Sequence, residues 1–257
     1  MKEKFNNLLS PEMLKLIPEM IISFPIPNIP EIKKGDNIGA LIVDNMHGLG
    51  GALPNDIYVV ASKIVSKAEG RVVDLRKITP TEEALRLYQI LGRKSPEIIQ
   101  LILDESQSYE VKNGCVIISK HRLGFYLTSA GVDALDRNTA ILLPEDPDKS
   151  ATIIREQIEN LTNKPVAIVI SDSEGRPDRK GAGAISIGVS GINPLRINEV
   201  PLEEGGFKKT EETIPDLLAA QAALIMGQRG KNMPVVCIRG FKFEYNLKAT
   251  LRSILNI

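Results

Sequence analysis

Apolar positions along this chain change period repeatedly, and each change predicts an element. Residues 11–22, PEMLKLIPEMII, space their apolar side chains as a short helix does, with Ser10 placed to cap it and Pro18 to break it. Prolines 25, 27 and 30 then forbid regular helix, so FPIPNIPEIKKGD reads as an edge strand or a rigid loop. Helical spacing returns over 37–46. A glycine-rich loop, HGLGGALPND, leads into DIYVVASKIVSKAEG, which reads as one strand running to its Ser/Lys-rich end.

Thr79-Pro-Thr-Glu-Glu carries cap and acidic first-turn signals for a helix to about Leu91, and SPEIIQLILDES predicts a second. CVIISKHRLGFYLTSAGVDA reads as a β-hairpin or strand pair. AILLPEDPDKSATIIREQIENLT gives a strand end, a Pro/Asp turn and a helix, and PVAIVISDS is a buried strand. GAISIGVSGI predicts another strand, IPDLLAAQAALIMGQ an Ala-rich helix, PVVCIRG a last core strand, and the tail a helix. Strands and helices mix without a regular βαβ alternation, so an α/β (mixed α+β) fold with a mixed sheet fits best. At 257 residues the chain suffices for one large domain or two small interlocked ones.

Charge narrows the partners. The 32 basic and 32 acidic residues cancel, which argues against a nucleic-acid binder or an anionic-membrane binder. The apolar runs fall short of a membrane span, and the N-terminus lacks a signal-peptide core, so a cytoplasmic protein is expected. Cys115 and Cys237 lie far apart in apolar runs and read as small buried residues. His47 and His121 are too few for a histidine-rich metal site.

Three segments carry candidate chemistry. In IVISDSEGRPDRKGAGAISIGVSG, Asp172 and Ser173 follow a buried strand where oxygen ligands could hold Mg²⁺ or Mn²⁺, with Arg176, Arg179 and Lys180 near for phosphate. A polar turn with a solvated basic face explains the same residues. In SAGVDALD, Asp133 and Asp136 lie three apart beyond a strand, spacing that suits either one metal or a surface turn. In ASKIVSKAEGR, the Ser/Lys-rich stretch suits nucleotide phosphates but lacks P-loop spacing.

In order, IPEIKKGD, VVASKIVSKAEGR, SAGVDALD, LLPEDPDKSA, AIVISDSEGRPDRKG, AISIGVSGI, LLAAQAALIMGQ and PVVCIRG resemble the coenzyme F420-0:γ-glutamyl ligase family over about Phe24 to Gly240. Residues 1–23 then form an N-terminal helical extension and 24–257 the ligase-like domain. The resemblance implies a fold of mixed sheets and flanking helices in two interlocked subdomains. It also implies a homodimer and a GTP-dependent amide ligase using Mn²⁺ or Mg²⁺. Such an enzyme joins L-glutamate to the carboxylate of a deazaflavin acid through an acyl phosphate. By position, Ile29, Pro30, Glu31 and Ile32 would line the base pocket, and Ser62, Lys63 and Lys67 would contact the nucleotide. Asp133, Asp172, Ser173 and Gln228 would ligate metal, Asp136, Met226 and Gly227 would complete the nucleotide site, and Lys67 and Arg176 would act in catalysis. Gln228 stands where the family commonly has Glu, so two other readings stay open: a paralogue with a different acceptor, and an inactive nucleotide- or metabolite-binding homologue.

Overall fold

The computed structural model describes residues 20–175, 179–228 and 230–256. The expected N-terminal helix falls largely on residues outside that set, as do Arg176, Pro177 and Asp178. Its last residue, Ile22, instead opens strand β1 (Ile22–Pro25).

A five-stranded mixed sheet forms the centre, in the order β1, β13 (Val235–Arg239), β2 (Ile57–Ala61), β9 (Ala167–Gly175), β10 (Ala182–Ser190). The proline-rich segment therefore supplies an edge strand, where its missing N–H groups cost nothing. Only β2 and β9 run parallel; the other three pairings are antiparallel. Ile57, Tyr58, Val59 and Val60 of β2 and Ala167 to Ile170 of β9 are fully buried. Each large apolar side chain so buried contributes about 1.5–3 kcal/mol, which makes this pair the rigid floor of the molecule. Helices α1 (Ile38–Met46), α5 (Pro147–Thr162) and α6 (Ile214–Met226) pack around the sheet. At Gly188 of β10 an added Cβ would lie 2.4 Å from the backbone carbon of Pro147, so only glycine lets α5 approach this closely.

Residues 72–142 build a second, smaller core between α2 (Ser62–Glu69) and α5. It contains α3 (Glu82–Leu91), capped by Thr81, and α4 (Pro96–Asp104), capped by Ser95 with proline at its first position. Two three-stranded sheets complete it: β3 (Val72–Asp74), β8 (Thr139–Ile141) and β7 (Asp133–Ala134), and β4 (Ser106–Lys112), β5 (Val116–His121) and β6 (Tyr126–Thr128). Leu123, Phe125 and Leu127 of the β5–β6 hairpin are buried in the first core instead, so the two units interlock as expected. A polar knot ties them. Glu105 accepts from Arg71, Arg122 and His121, and Arg71 and Arg122 also pair with Glu145. Burial pushes the Glu105 carboxyl up, but His121 and the two guanidiniums outweigh it and hold it at about 2. The His121 Nδ1 accepts from the Leu123 amide, so this histidine is structural.

Several expectations are corrected. The second half of DIYVVASKIVSKAEG is not strand: β2 ends at Ala61 and α2 follows at once. Among the described residues the tail forms a 3-10 turn, Leu251–Ile254, in place of the expected helix. Cys237 is buried as expected, but Cys115 is exposed on the turn before β5. A two-stranded ribbon, β11 (Leu195–Pro201) with β12 (Phe207–Thr213), has no counterpart in the sequence pattern. Among the described residues, no helix is long and apolar enough to cross a membrane.

Candidate functional site

Parallel pairing brings Ala61 of β2 level with Ser171 of β9. Beyond that level β2 gives way to α2 while β9 runs on beside β10, so the next residues, Ser62 and Asp172, face each other. The Ser62 hydroxyl donates to Asp172 Oδ1 at 2.6 Å. No side chain caps the first turn of α2, and its unpaired amides and dipole favour an anion at this point. One residue on, Lys63 Nζ donates to Asp133 Oδ2 at 2.6 Å, and a turn later Lys67 pairs with Glu31. The Lys63–Asp133 pair is half exposed, so it contributes little to stability and can exchange partners.

Asp133 is delivered by a tight turn. Ser129, Ala130 and Gly131 all hold positive φ, at 56°, 49° and 65°. Left-handed backbone at non-glycine residues costs roughly 1–2 kcal/mol each and persists only where surroundings enforce it. Here Ala130 is fully buried in the second core, and a Cβ on Gly131 would lie 2.7 Å from Leu143 Cγ.

These elements wall a cleft of about 880 Å³. Ile29, Pro30, Glu31, Ile32, Ser62, Lys63, Lys67, Asp133, Asp172, Ser173, Met226, Gly227 and Gln228 all line it. Five separate stretches of sequence are thus brought together. Asp136 is not among the lining residues. Its carboxylate accepts from the Thr139 hydroxyl and from the Asn138 and Thr139 amides, which lower its pKa and use it as a turn former. Arg176 lies outside the described residues.

Sequence reasoning missed Lys94, Thr128 and Ser129, which also line the cleft. Lys94 carries no motif: it sits at φ 66° just after the α3 cap, Gly92, and only the fold turns it toward Asp133. Burial pushes its ammonium pKa down, and the Asp133 charge opposes that shift.

Asp172 is the most perturbed acid in the cleft. Burial pushes its carboxyl up to about 6, and the nearby Asp133 charge adds to that, against the opposing Ser62 hydroxyl, Ser173 amide and Lys63 charge. Among the described residues, no group of three or more His, Cys, Asp or Glu side chains is gathered to hold a metal. Two carboxylates, Asp133 and Asp172, and the side-chain oxygens of Ser173 and Gln228 line the same cleft and would be the hard donors available there. Such a set suits Mg²⁺ or Mn²⁺, which commonly complete their coordination with water and phosphate oxygens.

A family model described as F420-0:Gamma-glutamyl ligase matches residues 27–240. A protein of Methanothermobacter thermautotrophicus named coenzyme F420:L-glutamate ligase is 38% identical over 225 residues, covering 86% of this chain and 89% of its own. Proteins of the same name from Methanocaldococcus jannaschii and Archaeoglobus fulgidus are 45% and 34% identical, covering 72% and 84% of this chain and 75% and 86% of their own.

Proposed function

The chain belongs to the F420-0:γ-glutamyl ligase family, and from that membership we propose that it joins L-glutamate to the carboxylate of coenzyme F420-0 at the expense of GTP. The observation that carries this reading is the cleft on which the uncapped start of α2, four lysines (Lys63, Lys67, Lys94 and Lys231) and three carboxylates (Glu31, Asp133 and Asp172) converge.

The residues divide the work by charge. The Ser62 and Lys63 amides and the Lys63 and Lys67 ammoniums bind phosphate oxygens, with Ile29 to Ile32 against the base. Asp133, Asp172, Ser173 and Gln228 would hold Mg²⁺ or Mn²⁺, which supplies neutralisation of charge on the transferring phosphoryl group. Binding of the nucleotide draws Lys63 from Asp133 and Lys67 from Glu31, exchanging half-exposed internal pairs for charge-assisted bonds to phosphate. An acceptor carboxylate oxygen attacks the γ-phosphorus and GDP leaves, giving an acyl phosphate. The glutamate amine then attacks the acyl carbon, phosphate leaves and the amine proton passes to solvent or a cleft carboxylate.

The test is direct. Purified protein with GTP, Mn²⁺, L-glutamate and F420-0 is expected to release inorganic phosphate and form the glutamylated product, read by mass spectrometry. No phosphate and no product would remove the reading. GTP binding without turnover would favour the inactive homologue, for which the neutral Gln228 is the motivating residue.

A further inference from the structure

Backbone strain in this molecule gathers at the cleft. Among the described residues, eight other than glycine hold positive φ, and five of them are asparagines, which tolerate that conformation. The other three are Lys94, Ser129 and Ala130. Lys94 and Ser129 line the cleft, and Ala130 lies between Ser129 and the lining Gly131. Strain of this kind persists only where packing enforces it, and it clusters at functional sites. Around Lys94 the enforcement is visible. The connection from α3 to α4 is held by the Gly92 cap of α3 on one side and by Ser95, which caps α4 ahead of Pro96, on the other. The turn at 129–131 delivers a carboxylate, Asp133; the strained Lys94 delivers an ammonium.

Lys94 differs from the other lysines of the cleft. Lys63 pairs with Asp133, Lys67 with Glu31, and Lys231 donates to the Leu224 carbonyl at 3.5 Å. The adjacent Arg93 is engaged too, donating through Nε and Nη2 to the Cys115 carbonyl at 3.0 and 2.6 Å. Among the described residues, none makes a hydrogen bond or ion pair with Lys94. The Glu174 carboxylate, also at this end, accepts from the Thr128 amide at 2.8 Å. The protein packed around Lys94 disfavours its charge, and Asp133 opposes that; an arriving anion would do the same.

Position identifies the anion. The contacts run in order from the residues set against the base: Glu31 to Lys67, back one turn along α2 to Lys63, then Lys63 to Asp133, whose charge Lys94 feels. Lys94 also lines an adjoining concavity that Ile29 to Ile32 and Lys67 do not reach. A nucleotide laid along this path points its terminal phosphate at Lys94. We propose that Lys94 is a catalytic residue of the ligase, its ammonium holding the phosphoryl group as that group moves from GTP to the acceptor carboxylate. The inference rests on the ligase reading above. A carboxylate oxygen forms a bond to the γ-phosphorus, the bond from that phosphorus to the bridging oxygen breaks, and its electron pair leaves on GDP. Lys94 donates N–H to a γ-phosphoryl oxygen throughout and gives up no proton, as a fixed donor aimed at developing charge. It stays on the acyl phosphate until the glutamate amine displaces phosphate.

The test separates charge from structure with two variants. Lys94→Met keeps the length of the stem and loses the charge, and Lys94→Gly removes the whole side chain while relieving the left-handed backbone. With GTP, Mn²⁺, L-glutamate and F420-0, both are expected to lower kcat about 100-fold or more, the size of one lost transition-state donor. The KM for L-glutamate and F420-0, and the Kd for GTP by calorimetry, are expected to stay within about threefold, since the contact is made in the transition state. Retained GTP binding also certifies the folded cleft. A kcat close to wild type in both variants would overturn the inference and leave the ligase reading standing. A loss in Lys94→Gly that Lys94→Met does not share would assign the effect to the stem and overturn it too. So would a raised KM or Kd with kcat unchanged, which makes Lys94 a ground-state contact. Wild-type protein that forms no product would remove the ligase reading and this inference with it.

Discussion

Replacing Asp172 with Asn tests whether the cleft stores electrostatic strain that a cation is meant to relieve. Burial raises this carboxyl from its ordinary 3.8 to about 6. The difference corresponds to about 3 kcal/mol of cost for holding the ionised form in the folded chain. The sign follows from proton binding. Between those two pH values the folded state holds more protons than the unfolded one, so wild-type stability falls as pH rises through the window. Below it both states are protonated and nothing is lost. Asn keeps an oxygen to accept from the Ser62 hydroxyl but carries no charge. Urea denaturation with chelator present is therefore expected to show Asp172→Asn equal to wild type below about pH 4. By pH 7 the variant should be the more stable protein, by up to about 3 kcal/mol. Adding Mn²⁺ should then raise the wild-type midpoint and leave the variant's where it was. A variant less stable than wild type at pH 7, or a difference that is the same at pH 4 and pH 7, would refute the argument.

Asp133→Ala is expected to abolish metal-dependent turnover while the protein stays folded, checked by phosphate release against circular dichroism. Lys67→Ala should raise the KM for GTP by about tenfold, the loss of one charge-assisted contact, and change that for glutamate much less, read by initial rates. Gly131→Ala places a Cβ 2.7 Å from Leu143 Cγ on a backbone at φ 65°, and should lower stability by about 1–3 kcal/mol in urea denaturation.

What the sequence made legible follows from local physics. Strands β2, β9 and β13 of the central sheet stand out because each carries an unbroken run of buried apolar residues, IYVV, AIVI and VVCI. Caps written in side chains, such as Thr81 and Ser95, mark their helices equally well. Helix α2 has neither signal. It starts at Ser62 directly from a strand, its first turn uncapped, so nothing in the letters separates YVVA from SKIVSKAE. The absent cap that hid the helix is the feature that leaves its amides to a ligand. The β11–β12 ribbon was invisible for another reason. Its side chains are almost all exposed on both faces, so no hydrophobic alternation is imposed on LRINEVP or FKKTEET. Asp133 and Asp136 are alike by spacing, and only the turn geometry sends one into the cleft and the other back onto Thr139. Lys94 depends wholly on tertiary placement.

Strand order has a consequence for how the molecule comes to exist. The last strand of the central sheet, β13, does not add to an edge; it lies between β1 and β2. Until residues 235–239 leave the ribosome, β1 has no sheet to join and β2 presents an unpaired row of amides and carbonyls. Ser62 and Asp172 could already face each other across β2 and β9 in such a nascent chain, but on a floor with one side open. A chain stopped before Val235 would thus display two sticky strands at once, a product for chaperones or proteases rather than a weak enzyme. Inserting β13 between β1 and β2 makes the emergence of residues 235–239 a condition for hiding those edges.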